Sequence, residues 1–330
     1  MTTYKEINGT NIEAVSTDPA NPVTGQVWYN TTDNVLKGAA QTTAGAWATS
    51  GALNTARSEM AAAGIQTAAL GFAGSASADT ESYNGTAWTE VNNLTTGRAA
   101  LGGAGIQTAA LGFGGKTPPN TKETITESWN GTNWTEVNDM NLARSSAASF
   151  GVQTAAIYAA GVAEPGTGQV RNTETWNGSA WTEVNDVNTA RESVAGIGLI
   201  TAGLIFGGYR ASGGTAKSAL TESWNGSSWT EVADLNAGRP ACAGAGTQSE
   251  GLAFGGNDPT PSFSVLTESW NGSSWTEIGD LNRGAESIAG DGTRTSALAF
   301  GGYVGPPGVT TATEEFTGAG APLVQTFTDS

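Results

Sequence analysis

The chain has 330 residues, a formal net charge of −16 and no histidine. An acidic chain without a basic stripe repels phosphate backbones, so we expect no nucleic-acid partner. The absence of histidine excludes a Ser–His or Cys–His nucleophile. The one cysteine, Cys242, permits neither an intrachain disulfide nor a cysteine-rich metal site. We therefore expect no metal and no cofactor, and we expect Cys242 to be a small buried apolar residue.

Residues 1–27 predict an arm outside the main domain. They carry two turn signals, Asn8-Gly9 and Asp18-Pro19, and too few apolar residues for a core. They lack the basic and apolar regions of a signal peptide, and no stretch of the chain reaches the ~18 apolar residues of a membrane helix. Such an arm needs a partner to hold it, and its strand-forming stretches suit the edge of a neighbouring sheet. The apolar side chains expected to dock are Tyr4, Ile7, Ile12 and Val15.

One repeated phrase dominates residues 28–330. ESWNGTNWTEV, starting at Glu127, recurs with small changes in four other places. The second tryptophans of successive copies are 46, 47, 48 and 46 residues apart. A period in the forties, with room for four short strands, is typical of a repeat array. The tryptophans assigned to the repeat are Trp88, Trp129, Trp134, Trp176, Trp181, Trp224, Trp229, Trp270 and Trp275.

Each period predicts four antiparallel strands. TESW and WTEV form a hairpin closed by Asn-Gly, and the tryptophans at its ends are expected to meet, a contact worth roughly 0.5–1.5 kcal/mol beyond burial. The other half is an Ala- and Gly-rich strand pair, such as AAAGIQTAALGF after Met60, whose small side chains suit strands that converge on an axis. It follows an N-x-A-R phrase with arginines at Arg57, Arg98, Arg144, Arg191, Arg239 and, weakly, Arg283.

Six such inner strand pairs predict a closed ring. Five outer hairpins are complete, and fragments stand at both ends of the chain, VLKGAAQTTAGAWATS and ATEEFTGAG. The two fragments can complete the last repeat side by side, which closes the ring and leaves only short strand edges. The sequence therefore predicts an all-β, six-bladed β-propeller, closed by N- and C-terminal strands and preceded by the short arm.

The repeated arginines and strand glutamates have two interpretations. Arginines near the axis would bind an anion. Alternatively, each guanidinium pairs with a carboxylate of its own or the next blade and locks the ring, which we favour. Carboxylates that recur in nearly every repeat, such as Glu127, Glu136, Asp139 and their equivalents, are better suited to structure than to catalysis. The strand glutamates among them are Glu81, Glu127, Glu174, Glu222 and Glu268.

The repeat resembles the kelch repeat, with a Gly-Gly doublet after an inner strand, an aromatic residue on the third strand and Trp on the fourth. Trp-Asn-Gly replaces the family's Tyr-Asp-Pro. The resemblance covers about residues 35–330 and implies a propeller fold without fixing a function. Copper oxidases built on propellers use histidine ligands, which this chain lacks. The doublets are Gly114-Gly115, Gly207-Gly208, Gly255-Gly256 and Gly301-Gly302, with Ala73-Gly74 and Ala160-Gly161 as degenerate copies.

The segments between the doublet and TES differ most between repeats. They are Pro- and Gly-rich loops, for example KTPPNTKETI and NDPTPSFSVL, and loops on a rigid scaffold commonly carry recognition. Ordinary solvated loops are the alternative. The side chains predicted to contact a ligand are Tyr209, Arg210, Phe263, Tyr303 and Arg171.

STDPANPVTGQVWYNTTDNVLKG, starting at Ser16, resembles a segment near the start of structural proteins of marine bacteriophages, particularly cyanophages. The resemblance implies a non-enzymatic virion component such as a tail-fibre, tail-tip or capsid-surface protein. Its expected partners are other virion proteins through the arm, a host surface glycan or protein, and further copies of itself in the particle. Two alternatives stay open: a propeller that binds host polysaccharide, and a glycoside-cleaving enzyme that works with two carboxylates.

Overall fold

The computed structural model describes residues 12–19, 26–41, 45–164, 168–210, 216–257, 263–306, 308–318 and 322–327, and their regular structure is entirely β-strand. The first strands are β1 (Glu13–Val15), β2 (Val27–Asn30), β3 (Val35–Gln41), β4 (Ala46–Ser50), β5 (Ala61–Ile65), β6 (Ala68–Phe72), β7 (Thr80–Tyr83), β8 (Trp88–Val91), β9 (Gly102–Ile106), β10 (Ala109–Phe113), β11 (Lys116–Thr117) and β12 (Thr121–Lys122). There follow β13 (Thr126–Trp129), β14 (Trp134–Val137), β15 (Arg144–Ser145), β16 (Ala148–Val152), β17 (Ala155–Ala159), β18 (Val162–Ala163), β19 (Thr173–Trp176), β20 (Trp181–Val184), β21 (Arg191–Glu192), β22 (Ala195–Leu199), β23 (Ala202–Phe206) and β24 (Tyr209–Arg210). The last are β25 (Ala216–Lys217), β26 (Thr221–Trp224), β27 (Trp229–Val232), β28 (Ala243–Gly246), β29 (Gly251–Phe254), β30 (Thr267–Trp270), β31 (Trp275–Glu277), β32 (Ala289–Thr293), β33 (Ser296–Phe300), β34 (Thr313–Thr317) and β35 (Pro322–Phe327).

The described residues belong to two compact units. The first contains the residues up to Gly45 and from Gly318 onward, and the second spans Ala46–Thr317. In the first unit, one sheet has the order β1–β2–β3–β35, with β1 parallel to β2 and the other neighbours antiparallel. Part of the predicted arm is thus a strand of this sheet. The VLKG stretch lies in β3 and pairs with β2 and β35, whereas we predicted it to join the last repeat.

The second unit repeats one four-stranded antiparallel meander six times. The sheets are β5–β6–β7–β8, β9–β10–β13–β14, β16–β17–β19–β20, β22–β23–β26–β27, β28–β29–β30–β31 and β32–β33–β34–β4. Only the sixth takes a strand from a distant part of the chain, since Ala46–Ser50 pairs with β34. This is the pairing that GAWATS and ATEEFTGAG predicted.

The first strands of the six sheets contact one another in a closed series. The contacts run from β5 to β9, β16, β22, β28 and β32, and from β32 back to β5. Glycine is needed for this approach: a Cβ on Gly103 would lie 2.7 Å from the carbonyl oxygen of Ala62 and 3.1 Å from the Phe72 ring. The small residues of the inner strands are therefore a packing requirement.

Six residues, each located just before the first strand of a sheet, form a second closed series, which we call the backbone ring. Each of its residues has a left-handed φ of 51–56° and donates its N–H to the carbonyl of the equivalent residue in the preceding sheet, at 2.7–3.0 Å. Glu59 completes the series by donating to Ser287 of the sixth sheet. The members are Glu59, Ala100, Ser146, Ser193, Ala241 and Ser287.

The aromatic rings of each outer hairpin contact each other across the strand pair. Trp129 lies opposite Trp134 with ring centres 5.5 Å apart, and the other four pairs are 4.9–5.6 Å apart. The second tryptophan also reaches the preceding sheet. Trp134 packs on Phe72 at 4.8 Å, and its Nε1–H donates to Thr80 Oγ1 at 3.1 Å. The tryptophans therefore join neighbouring sheets as well as closing a hairpin.

Candidate functional site

One end of the second unit gathers the segments that differ most between repeats. Both the loop after the second strand and the connection after the fourth strand lie there, because an antiparallel meander returns to the same end. The two segments are bonded to each other, for example from Leu94 N to Ala78 O at 3.0 Å. We call this end the loop end. The opposite end, with the Asn-Gly turns and the turns between first and second strands, is called the turn end.

The loop end has a central opening of about 100 Å³. Every sheet contributes two consecutive residues to it, and the first of the two belongs to the backbone ring. Four of these ring residues carry a side-chain oxygen: Glu59, Ser146, Ser193 and Ser287. The second residues form an apolar collar of Met60, Leu101, Ala147, Val194, Cys242 and Ile288. Cys242 is buried, as predicted, and burial raises its thiol pKa to about 11.

A second cavity, of about 220 Å³, lies beyond the collar. It is lined by the six first strands, each of which pairs on one edge only within the described sheets. Asp291 carries the one carboxylate among the described lining residues. Its Oδ1 accepts the Gly292 N–H at 2.7 Å, and burial raises its pKa to about 7 against the opposing effect of the backbone donors of Gly292 and Gly64. The equivalent residues of the other repeats are apolar: Ala63, Ala104, Phe150, Ile197 and Ala245.

The structure brings together three of the five predicted contact residues. Phe263 and Tyr303 form an edge-to-face pair with ring centres 5.5 Å apart. Tyr303 bridges to Glu286 by backbone bonds. Tyr209 lies opposite Lys217, whose Nζ donates to the side chain of Asn257, and Asn257 bridges to Phe263. Burial, followed by Glu286 and Glu192, raises the pKa of Tyr209. The loops of the fourth, fifth and sixth repeats therefore form one connected cluster.

Two polar residues missed by the sequence analysis link this cluster. Asn257 donates its side-chain amide to Glu286 and accepts a hydrogen bond from Lys217 Nζ. Sequence reasoning could have found Lys217 and Asn257 only by knowing which loops are neighbours. Arg210 is exposed beside Tyr209. Arg171 is held on the third repeat, where its Nε donates to Val187 O at 2.9 Å, so the contacts described here do not bring it into the cluster.

The repeated arginines are buried ion-pair partners within single repeats. Arg98 Nη2 donates to Glu127 Oε1 at 2.9 Å, and both side chains are 0% exposed. Arg98 Nη1 donates to the carbonyls of Gly114 and Ile125, both at 2.7 Å. Burial lowers the Arg98 pKa, while Glu127 acts in the opposite direction. An anion-binding arginine ring is therefore wrong. The equivalent pairs are Arg57–Glu81, Arg144–Glu174, Arg191–Glu222 and Arg239–Glu268.

The sixth repeat lacks this arginine. The backbone carbonyl of Ala285 accepts the Gly256 N–H, just as the carbonyl of Arg239 accepts the Gly208 N–H. Ala285 is therefore the equivalent of the repeated arginines, and the prediction of a weak copy at Arg283 is wrong. Arg283 is exposed and donates to Thr310 Oγ1 at 3.1 Å. Glu314 nevertheless stays buried, at 6% exposure, beside a void of about 10 Å³ lined by Ala285. A void of this size holds about one water molecule.

The segment that starts at Ser16 folds around one carboxylate in the first unit. Asp18 Oδ1 accepts hydrogen bonds from Trp28 Nε1 at 3.0 Å and Asn30 Nδ2 at 2.7 Å, and Oδ2 accepts one from Lys37 Nζ at 2.8 Å. The bond from Lys37, followed by those from Trp28 and Asn30, lowers the pKa of Asp18 to about 2. The three separated parts of the motif, STDP, VWYN and NVLKG, therefore belong to one structural centre.

The predicted docking residues are only partly described. Tyr4 and Ile7 lie outside the described residues. Ile12 is 39% exposed, and Val15 is partly buried at the end of β1, an edge strand that pairs with β2. In the described ranges, no group of three His, Cys, Asp or Glu side chains could hold a metal ion. The same ranges contain no helix of the length and hydropathy needed to cross a membrane.

Comparison with known proteins identifies a fold and no family. No protein-family model matches the chain, and no curated protein matches it in sequence. The solved structure of YjhT is similar, with a TM-score of 0.69 and 14% identity, over 83% of this chain and 99% of that chain. It is among 409 matching chains of known structure. The chain therefore has a propeller-like all-β fold, and its function must be argued from its own residues.

Proposed function

We propose that the second unit is a closed six-bladed β-propeller. Three features support closure. The first strands contact one another in a six-membered cycle. The backbone ring returns from Ser287 to Glu59. Ala46–Ser50 completes the sixth sheet with a strand from the N-terminal side. A closed ring is a rigid support on which loop-end side chains keep fixed positions.

We further propose that the chain is a non-enzymatic structural protein of a bacteriophage virion, in a tail fibre, tail tip or capsid surface. The first unit would bind another virion protein, and the loop end would meet the host or a neighbouring protein. One observation carries the non-enzymatic part: the recurring glutamates of the TES strands are occupied in buried ion pairs such as Arg98–Glu127, which have no access to a substrate. The phage assignment rests on the segment around Asp18, whose residues form a defined centre.

Particles from the source test this role directly. Mass spectrometry of purified virions should detect the chain in a fixed ratio to the other structural proteins. Removing residues 1–25 eliminates β1 and Asp18, and we expect it to prevent incorporation while the second unit stays folded. The matched control is Glu90→Gln, an exposed change in β8 of the second unit. Particles that lack the wild-type chain, or that incorporate the truncated chain normally, would refute the proposal.

A glycan-binding role is the second candidate, and the cluster of Tyr209, Phe263 and Tyr303 favours it. Phe263 and Tyr303 bridge by their backbones to Asn257 and Glu286, so aromatic rings, an amide and a carboxylate in this cluster offer the apolar and hydrogen-bonding contacts that sugars use. A glycan array with the wild type, Phe263→Ala and the distant control Arg171→Ala would test it. Binding lost only in Phe263→Ala supports glycan recognition. Release of reducing sugar by the wild type would contradict the non-enzymatic proposal.

A further inference from the structure

Four neighbouring repeats expose an aliphatic side chain at the same position of the turn end. It is the last residue of the first strand, and its exposed fraction lies between 39% and 52%. We call these residues the aliphatic arc: Ile65, Ile106, Val152 and Leu199. Their strands, β5, β9, β16 and β22, contact one another in this order, so the arc occupies four successive sheets.

The fold does not require an aliphatic residue at this position. The fifth and sixth repeats have Thr247 and Thr293 there, both exposed, and both in the same turn between first and second strands. The turn therefore forms equally well with a polar side chain. Exposed apolar residues that recur on adjacent sheets, and that the local structure does not need, indicate a contact surface.

Charge distribution identifies the occupant of this surface. The chain has a net charge of −16. Yet only one acidic and one basic residue occur in the Asn-Gly turns and in the turns between first and second strands. The latter turns are residues 65–68, 106–109, 152–155, 199–202, 247–250 and 293–296. The two charged residues are Glu250 and Arg294, whose side chains form an ion pair at 3.5 Å, so these turns carry no net charge.

We propose that the aliphatic arc is a self-association surface, occupied by the arc of a second copy of this chain. Two copies of a strongly acidic protein repel each other over most of their surfaces, and like-charge contacts are unfavourable at an interface. The aliphatic arc and the turns around it form a surface on which two copies meet without opposing charges. A two-fold contact places the same patch on both sides, so each arc covers the other. This inference is independent of the proposed function, because the purified chain alone tests it.

Sedimentation velocity of the full chain over a range of concentrations is the test. The wild type should show a monomer–dimer equilibrium. The triple variant Ile65→Thr, Ile106→Thr, Leu199→Thr copies the residue that the chain itself carries in its last two repeats, so it should fold normally. We expect it to raise the dimer dissociation constant by about tenfold or more. Val309→Thr is the matched control, since Val309 is 38% exposed and lies in a loop-end segment.

Three results would overturn the proposal. The first is a wild-type chain that stays monomeric at the highest concentration. The second is a triple variant that dimerises as tightly as the wild type, since the contact would then lie elsewhere. The third is a dimer that dissociates as salt is raised, because an apolar contact between neutral faces is not weakened by charge screening. Equal melting temperatures of the triple variant and Val309→Thr would show that any loss of dimer is not caused by unfolding.

Discussion

At the scale of single residues, the buried ion pairs are the most demanding contacts. Removing one partner of such a pair leaves a buried charge without compensation, which costs about 3–5 kcal/mol. Arg98→Ala should therefore lower the free energy of unfolding in urea by about this amount, whereas the exposed Arg210→Ala should change it little. A loss no larger than that of Arg210→Ala would mean that Glu127 finds other donors.

The converse change, Ala285→Arg, should stabilise the sixth repeat by supplying Glu314 with the guanidinium it lacks.

Asp291 gives stability a pH dependence of known sign. Its pKa in the folded chain is about 7, above the ordinary value of 3.8, so the folded state favours the protonated form. The contribution of Asp291 to stability is fully present below about pH 4, decreases as the pH rises towards 7 because the unfolded chain has already released the proton, and is lost above pH 7. One pKa unit corresponds to about 1.4 kcal/mol. Because the side chain is partly accessible from the cavity, we expect a loss of about 1–3 kcal/mol rather than the full shift.

Asp291→Asn should abolish this dependence, because an amide cannot ionise and its oxygen can still accept the Gly292 N–H. Thermal unfolding at pH 4 and pH 8 measures the effect. The variant should equal the wild type at pH 4 and melt higher at pH 8. If the variant and the wild type had equal melting temperatures at pH 8 as well as at pH 4, the carboxylate would be solvated by water in the cavity.

At the scale of strands and turns, a glutamine in the turn between the first two strands fastens four of the six sheets to the preceding sheet. Gln107 donates to Ser82 Oγ at 3.0 Å and to the Tyr83 carbonyl in the preceding sheet. Gln66, Gln153 and Gln248 reach preceding sheets in the same way. The fourth repeat has Ile200 at this position, so the turn itself tolerates an aliphatic residue.

Gln107→Ile should therefore test the fastening alone. It removes the amide donors and leaves the Tyr83 carbonyl without a side-chain partner, at a cost of about 1–3 kcal/mol. Urea unfolding gives the total cost, and hydrogen exchange should show faster opening at the seam between the first and second sheets. Gln107→Asn shortens the side chain while keeping its amide, and its free energy of unfolding should lie between those of the wild type and Gln107→Ile. Unchanged exchange at the seam would contradict this role.

At this scale, the sequence predicted the strands and hairpins but not the contacts between sheets. The strands and hairpins followed from TESW-NG-WTEV, since alternation and turn chemistry act over a few residues. Contacts between sheets, such as Trp134 to Thr80, depend on which repeat is the neighbour and leave no local pattern. The same holds for Asp18, whose partners are dispersed along the segment. Of the loop residues, Phe263 and Tyr303 meet only because their repeats are adjacent.

At the scale of the whole molecule, the chain passes between the two units twice, once before β4 and once after β34, and these two strands are paired. Ala46 of β4 lies opposite Thr317 of β34, so the chain enters and leaves the second unit at neighbouring residues. A fragment of residues 45–318 therefore retains all four strands of the sixth sheet. It also keeps Trp47, which packs on Phe254 at 4.9 Å and donates to Thr267 Oγ1 at 2.9 Å.

We expect fragment 45–318 to melt within a few degrees of the full chain. Fragment 51–318 lacks β4 and Trp47, and loss of a buried tryptophan alone costs about 3–5 kcal/mol. It also exposes β34 as a free edge, which promotes aggregation. Near-ultraviolet circular dichroism during heating, with size-exclusion chromatography, should therefore show a large destabilisation and association of the shorter fragment only. If both fragments were equally stable and monomeric, Ala46–Ser50 would not be needed to hold the sixth sheet, and closure of the ring would have to depend on contacts among the first strands alone.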